Sequence, residues 1–229
     1  MVTDPPYGIE LDSEWRDRAG LNGHGPAEPS SGDTRAGWSE AFALVPSLEA
    51  AYVWHASKFT REVLDGLLKL GFLHHQQIIW DKGRTVLTRT LYWFQHEPCW
   101  FLRKKNAPWF GKAGENSTIW NSPSPKFITG GSDEEKWDHP TQKPVELRRR
   151  SILNHLRRGE LVYDLFLGSG TTLAAAELNE RVCFGIELDP KYVDVVVPRW
   201  QQLTSKQATL DGDGRTFDVI APERRKVAV

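Results

Sequence analysis

Cysteine and methionine are scarce in this chain: of 229 residues, two are Cys and one is Met. Cys99 and Cys183 stand far apart with no Cys-x-x-Cys pair. That excludes a disulfide scaffold and a cysteine-rich zinc site, and suits the reducing cytoplasm. No apolar run approaches the roughly 18 residues of a membrane-spanning helix, so no membrane partner is expected. Met1 to Pro6 contain neither a basic nor an apolar stretch, and no secretory signal is expected there. Net charge is nearly absent, at −1, so nothing pulls the whole protein toward polyanions. A hydrophobic content of 39% with 26% charged residues excludes wholesale disorder. At about 100–200 residues per domain, residues 1–229 are expected to form one domain with no internal repeat.

The charge that is present is uneven, at −4 over residues 1–99, +5 over 100–160 and −2 over 161–229. The middle stretch holds Arg103-Lys104-Lys105, Arg148-Arg149-Arg150 and Arg157-Arg158. Such clusters suit a polyanion footprint, and equally a solvated helix face. Residues 9–38 lack periodicity and read as a long loop. Residues 51–54 read as a short buried strand. Residues 58–70 read as an amphipathic helix, with Phe59, Val63, Leu67 and Leu70 at helical spacing and Gly71 as its stop. Residues 72–80 and 92–102 read as two further strands. Residues 106–138 form an irregular insertion carrying Trp109, Trp120 and Trp137. Pro144 opens a helix to about Leu156, on whose apolar side Arg149 falls.

The last third is the most legible. Residues 161–166 read as a strand, Gly168-Ser169-Gly170 as a tight turn, 171–178 as an Ala-rich helix and 181–187 as a second strand. Asp189-Pro190 then caps and opens a helix toward Leu203, with a kink or early end expected at Pro198. Strand, turn, helix, strand, helix is a βαβα unit, hence an α/β fold with a doubly wound, mostly parallel sheet.

Two motifs carry chemistry. Asp164-Leu-Phe-Leu-Gly168-Ser-Gly170-Thr-Thr is a Gly-rich strand-to-helix turn without the Gly-Lys-Ser/Thr ending of a phosphate loop. Leu173 stands where a dinucleotide fingerprint needs its third glycine. Asp164 could accept a bond from a ligand ammonium, and Glu187, ending the next strand, could reach ribose hydroxyls. The pair suits an adenosine ligand lacking a pyrophosphate. Asp4-Pro5-Pro6-Tyr7 offers a carboxylate, carbonyls without N–H groups, and an aromatic face, as holding a planar amine requires. On its own it could also be a simple turn.

Together the two motifs resemble the amino-methylating DNA methyltransferases that use S-adenosylmethionine. The order, catalytic motif first and cofactor motif last, is similar to their beta group, a circular permutation of the common methyltransferase fold. His139-Pro-Thr-Gln-Lys143-Pro144, Ile78-Ile79-Trp80-Asp81-Lys82 and His96-Glu97 resemble further motifs of the group. Leu165 departs from it, where proline is usual. The resemblance implies that Asp4 and the Pro5 carbonyl polarise the target amine, within a motif completed by Pro6, while Tyr7 stacks on a flipped base. It implies that Asp164, Phe166, Gly168, Ser169, Gly170 and Thr171 shape the cofactor pocket, that Glu187 binds ribose, and that Thr141 and Lys143 meet the cofactor's carboxylate end. It divides the chain into a catalytic half (1–102), a candidate target-recognition insertion (103–138) with Arg103, Lys104 and Lys105 on DNA, a cofactor half (139–205) and a tail (206–229).

The expected activity is methyl transfer to an exocyclic amine of double-stranded DNA, adenine N6 by family habit. N4-cytosine transfer, a catalytically silent DNA-binding remnant and an NAD-binding protein are the alternatives. A homodimer and a restriction endonuclease are open partner readings. No metal is expected: His74-His75 lacks partners at ligand spacing. The cysteines are expected to pack in the core. Finally, Asp4 should follow a strand of about five or six residues, yet three precede it. The expectation is of a nearly absent first strand, with the missing part encoded upstream.

Overall fold

The computed structural model describes residues 1–9, 34–86, 90–112, 114–125, 134–137 and 142–227. Strands β1 (Val2–Thr3), β2 (Ala50–Trp54), β3 (Leu73–Asp81), β4 (His96–Arg103) and β5 (Ile119–Asn121) form one sheet in the order β1-β2-β4-β3-β5. β1 runs parallel to β2, and β5 runs parallel to β3. β4 lies antiparallel between β2 and β3. Four of the five strands therefore point one way. β6 (Leu161–Asp164) and β7 (Val182–Gly185) form a separate parallel pair.

The sheet is covered on both faces, which explains why β2 and the stretch 98–102 of β4 are apolar throughout. Alternate side chains go to opposite sides. Tyr52, Trp54, Cys99 and Phe101 join Leu147 and Ile152 of α3 (Val145–Leu153) and Ala175 and Ala176 of α4 (Thr171–Glu177). Ala51, Val53, Trp100 and Leu102 join Phe42 of α1 (Ser39–Ala43) and Val63 and Leu67 of α2 (Thr60–Lys69). Cys99 is fully buried and Cys183 packs against the first of these cores; burial pushes both thiols up. Gly71, at φ +80, ends α2 as its left-handed stop.

Three expectations are corrected. The strand read over 92–102 begins at His96, and Leu91, Tyr92, Trp93 and Phe94 are exposed in the β3–β4 connection. Ladder pairing stops at Asp81–His96, where the Asp81 carboxylate accepts Gly83 N and Gln95 Nε2 and closes the hairpin. In α3 it is Arg148, not Arg149, that is buried; Arg149 turns outward to Glu146 at 2.6 Å. Pro198 does not end its helix, α5 (Pro190–Thr204), because Val196 and Arg199 on either side of it are both buried and hold the face. The tail, residues 206–229, carries α6 (Phe217–Val227). The Asp189 cap is present, with its carboxylate accepting Lys191 N at 2.9 Å. Among the described residues, no helix is long and apolar enough to cross a membrane.

Candidate active site

Two strand ends meet at the site. β1 ends at Thr3, and Asp4-Pro5-Pro6-Tyr7 leaves the sheet because its two prolines cannot donate to a ladder. β6 ends at Asp164, where the Gly-rich turn begins. Thr3 Oγ1 donates to Asp164 Oδ1 at 2.6 Å, joining the two motifs across 161 residues. Thr172 Oγ1 donates to Asp164 Oδ2 at 2.5 Å, and Phe166 N donates to Oδ1 at 3.1 Å. Asp164 is 1% exposed. Burial pushes its carboxyl up, against the pull of Arg148 and these donors. Both oxygens carry inward bonds, three in all of about four acceptor sites, tying β1, β6 and α4 together.

The turn itself is braced from both sides. Gly168 and Gly170 adopt positive φ, 53° and 79°, which only glycine does freely. A Cβ on Gly170 would also lie 3.1 Å from Val196 of α5. Glu187 Oε2 accepts Gly168 N, and its Oε1 accepts Asp189 N, both at 2.8 Å. Each oxygen of this half-buried carboxylate thus carries one bond, and a carboxylate has about four acceptor sites in all. Ser169 and Thr171, expected on the cofactor side, place their oxygens on Arg199 instead. Arg199 Nη1 lies 2.8 Å from Ser169 O, 3.4 Å from its Oγ and 3.3 Å from Thr171 Oγ1. Sequence reasoning missed Arg199, a buried arginine 28 residues beyond Thr171 that no local pattern marks. Burial lowers its pKa, with Glu134 opposing.

Trp38 was missed as well. Its indole N–H donates to Pro6 O at 3.1 Å, its ring meets Phe166 edge-on at 4.8 Å, and the Arg35 guanidinium caps it at 3.8 Å. It links the Asp-Pro-Pro-Tyr segment to the turn after β6.

At Asp4 a compact charge network closes. Lys143 Nζ lies 2.5 Å from Asp4 Oδ2, 2.9 Å from Glu97 Oε2 and 3.0 Å from the Tyr7 hydroxyl. Its three donors meet three acceptors. The Tyr7 hydroxyl is 2.8 Å from Asp4 Oδ1 and 3.1 Å from Glu97 Oε2. Lys82 pairs with Glu97 Oε1 at 2.5 Å. Burial lowers the pKa of Lys143, but Asp4 and Glu97 outweigh it and hold the ammonium above its ordinary value. Burial likewise raises Glu97, yet Lys143 and Lys82 bring its carboxyl down to about 2. The Tyr7 hydroxyl is pushed well up by burial and by the carboxylates of Asp4 and Glu97. Lys143 was expected at the cofactor's carboxylate end; the structure points it at Asp4. Thr141 and the rest of 138–141 lie outside the described residues. Arg148 Nη2 stands 3.8 Å from Asp4 Oδ2.

Arg103, Lys104 and Lys105 are not at this end of the molecule. Arg103 pairs with Ala50 and Leu73, the first residues of β2 and β3, whereas Glu97 pairs with Trp80 near the end of β3. Six residues of strand separate Glu97 from Arg103, about 20 Å at roughly 3.4 Å per residue. Lys104 Nζ is spent on Pro46 O at 2.9 Å. The triplet expected on DNA thus lies toward the sheet end opposite Asp4. Of the three insertion tryptophans, Trp120 is core, Trp109 packs on His155 at 5.3 Å, and Trp137 lies under Arg199 at 6.0 Å. His74 and His75 make edge contacts with Trp100 and Phe101.

A mostly parallel α/β sheet that sets a Gly-rich turn beside a carboxylate-Pro-Pro-Tyr strand end defines a methyltransferase-type fold. A family model described as DNA methylase matches residues 1–198, and the chain belongs to that family. It is 36% identical over 81 residues to the DNA adenine methyltransferase YhdJ of Escherichia coli K12, covering 35% of this chain and 26% of that protein. Among solved structures it is similar to the M1.HpyAVI–SAM complex, with 25% identity, a TM-score of 0.56 and 86% of each chain covered. The cytosine-N4-specific PvuII DNA methyltransferase shares the fold, with a TM-score of 0.61 at 18% identity over 93% of this chain and 79% of that one. Matches to curated relatives span 17 to 38% of those proteins' own length.

Proposed function

We propose that this chain transfers a methyl group from S-adenosylmethionine to an exocyclic amino group of a base flipped out of double-stranded DNA, adenine N6 being the favoured target. The observation that carries this is the Thr3–Asp164 bond, which brings the Asp4 segment and the Gly168–Gly170 turn together at one edge, the adjoining C-terminal ends of β1 and β6. In open α/β sheets that edge, past the C-terminal ends of the strands, is where ligands bind. The choice between adenine and cytosine rests on Asp4, the residue common at this motif position in the adenine enzymes that the motif resembles.

The residues present fit the cofactor. Glu187 retains acceptor capacity for ribose hydroxyls, and the backbone of the turn at Gly168 and Gly170 carries no side chain that would block a ligand. Phe166 would flank the same pocket. When bound, S-adenosylmethionine supplies an electrophilic methyl group. The protein's own part is to prepare the amine. An exocyclic amine is a poor nucleophile because its lone pair is delocalised into the base. Asp4 and the Pro5 carbonyl accept its two hydrogens and draw the nitrogen toward tetrahedral geometry, which localises the lone pair. Tyr7 offers a ring face to the base. Positioning and electrostatics then account for the rate, without a covalent enzyme intermediate.

The duplex is assigned to the Asp4 end of the sheet. There the β3–β4 connection presents the exposed row Leu91, Tyr92, Trp93 and Phe94. Its stem carries Lys82, which pairs with Glu97 inside the site. Apolar side chains placed where a base leaves the stack can occupy the gap. The test is to express the chain in cells free of DNA methylation and sequence their DNA by a modification-sensitive method. N6-methyladenine at a recurring site supports the proposal; N4-methylcytosine moves it to the other base; unmodified DNA rejects it.

A further inference from the structure

Tyr7 has one hydroxyl proton and two carboxylates in reach, Asp4 Oδ1 at 2.8 Å and Glu97 Oε2 at 3.1 Å. A phenol donates to only one acceptor at a time. When the proton points to Asp4, both Asp4 oxygens are taken, Oδ1 by Tyr7 and Oδ2 by Lys143. An incoming amine then has to share Asp4 Oδ1 with the Tyr7 hydroxyl. When the proton points to Glu97, Oδ1 is free and no donor is left unpaired. Leaving a buried hydroxyl without an acceptor would carry the full desolvation penalty, so a second acceptor is what makes the release cheap.

We propose that Glu97 is a positioning residue that receives the Tyr7 hydroxyl bond as the target amine takes Asp4 Oδ1. This rests on the methyl-transfer reading above and goes beyond the Asp-Pro-Pro-Tyr motif. Three features fit Glu97 for the task. Its Oε1 is fixed by Lys82 at 2.5 Å, so the side chain does not have to move. Its Oε2 shares Lys143 with Asp4, so the same ammonium balances both carboxylates throughout. Its place on β4, in register with Trp80 of β3, puts it on a rigid strand rather than in a loop. Only the hydroxyl rotates, and rotation of one O–H demands no rearrangement of the backbone.

The test is single-turnover transfer of tritiated methyl from S-adenosylmethionine to unmethylated plasmid DNA, using the 229-residue chain, with Glu97→Gln, Tyr7→Phe and the double variant. S-adenosylhomocysteine affinity is measured on each by calorimetry. Glu97→Gln is expected to slow the transfer step by about 10–100-fold, the cost of one bond to a charged group. Its S-adenosylhomocysteine affinity should stay within twofold of wild type. Tyr7→Phe removes the hydroxyl and with it the need for a second acceptor. Glu97→Gln should therefore cost less in the Tyr7→Phe background than in the wild type, and the two losses should fail to multiply. If they multiply fully, the hand-off is wrong although methyl transfer stands. If wild type transfers no methyl group, the functional reading fails and takes the hand-off with it. Should Glu97→Gln not fold, Glu97→Asp keeps the charge for Lys82 and Lys143 while withdrawing the acceptor from Tyr7, and the same non-additivity decides the matter.

Discussion

Lys143 Nζ stands 2.5 Å from Asp4 Oδ2, although 139 residues separate the two in sequence. In the proposed reaction this contact ties Lys143 to Asp4 rather than to the cofactor. Lys143→Met should therefore lower methyl transfer while leaving S-adenosylhomocysteine affinity within about twofold. It should also destabilise the fold by about 3–5 kcal/mol, since Asp4 and Glu97 lose a buried counter-charge. Calorimetric titration and a denaturant melt check the two halves. A large loss of S-adenosylhomocysteine affinity with unchanged stability would return Lys143 to the cofactor.

Glu187 accepts two backbone N–H groups and retains lone pairs for a ligand. Glu187→Ala should weaken S-adenosylhomocysteine binding by about 1.5–3 kcal/mol, roughly 10–100-fold in Kd. Titration calorimetry reads this directly. Affinity equal to wild type would mean that Glu187 serves only to hold the turn.

Charge reversal at Lys104 and Lys105 should barely change DNA affinity or its salt dependence, because both lie at the sheet end opposite Asp4. Binding isotherms at several salt concentrations are the measurement. A slope shallower by about one unit for each lost phosphate contact would show that DNA reaches that end as well.

His155 gives a pH prediction. Burial lowers its pKa from 6.5 to about 4, with the Pro108 carbonyl at 2.6 Å opposing, and the ring also meets the Tyr52 hydroxyl at 3.0 Å. Its folded pKa lies below its unfolded one, so between pH 6.5 and 4 the unfolded chain binds more protons. Stability from this group is present above pH 6.5 and falls as pH drops toward 4, by about 3 kcal/mol at most. Melting temperature followed over that range should decline, and the decline should be smaller in His155→Gln. An equal slope in the variant would place the effect on other groups.

Periodicity made the elements visible where both faces of an element are used. β2 and residues 98–102 of β4 are apolar because the sheet is covered on both sides, and α2 shows Val63 and Leu67 at one face. The same cue misled at Tyr92-Trp93-Phe94, which are apolar but exposed, so that composition alone mistook a connection for the start of a strand. The two motifs were legible because their chemistry is local: a carboxylate beside prolines, and glycines in a turn. What joins them was not. Thr3 with Asp164, Lys143 with Asp4, Trp38 with Pro6, and Arg199 with Ser169 are contacts between distant residues. Each polar group there is ordinary by itself and gains meaning only when the fold supplies its partner. The swap of Arg149 for Arg148 has a similar origin, since a short helix with three consecutive arginines gives almost no periodic signal to choose which one turns inward.

In the proposed reaction Asp4 prepares an amine for methylation at a site whose cofactor pocket is separate from it. The measurement that tests it most directly is transfer of tritiated methyl from S-adenosylmethionine to unmethylated plasmid DNA by wild type and Asp4→Ala, each also titrated with S-adenosylhomocysteine. Wild type should label the DNA, Asp4→Ala should label none, and the two should bind S-adenosylhomocysteine within a few fold of each other. DNA labelled equally fast by Asp4→Ala, or a wild type that binds no S-adenosylhomocysteine, would contradict the account.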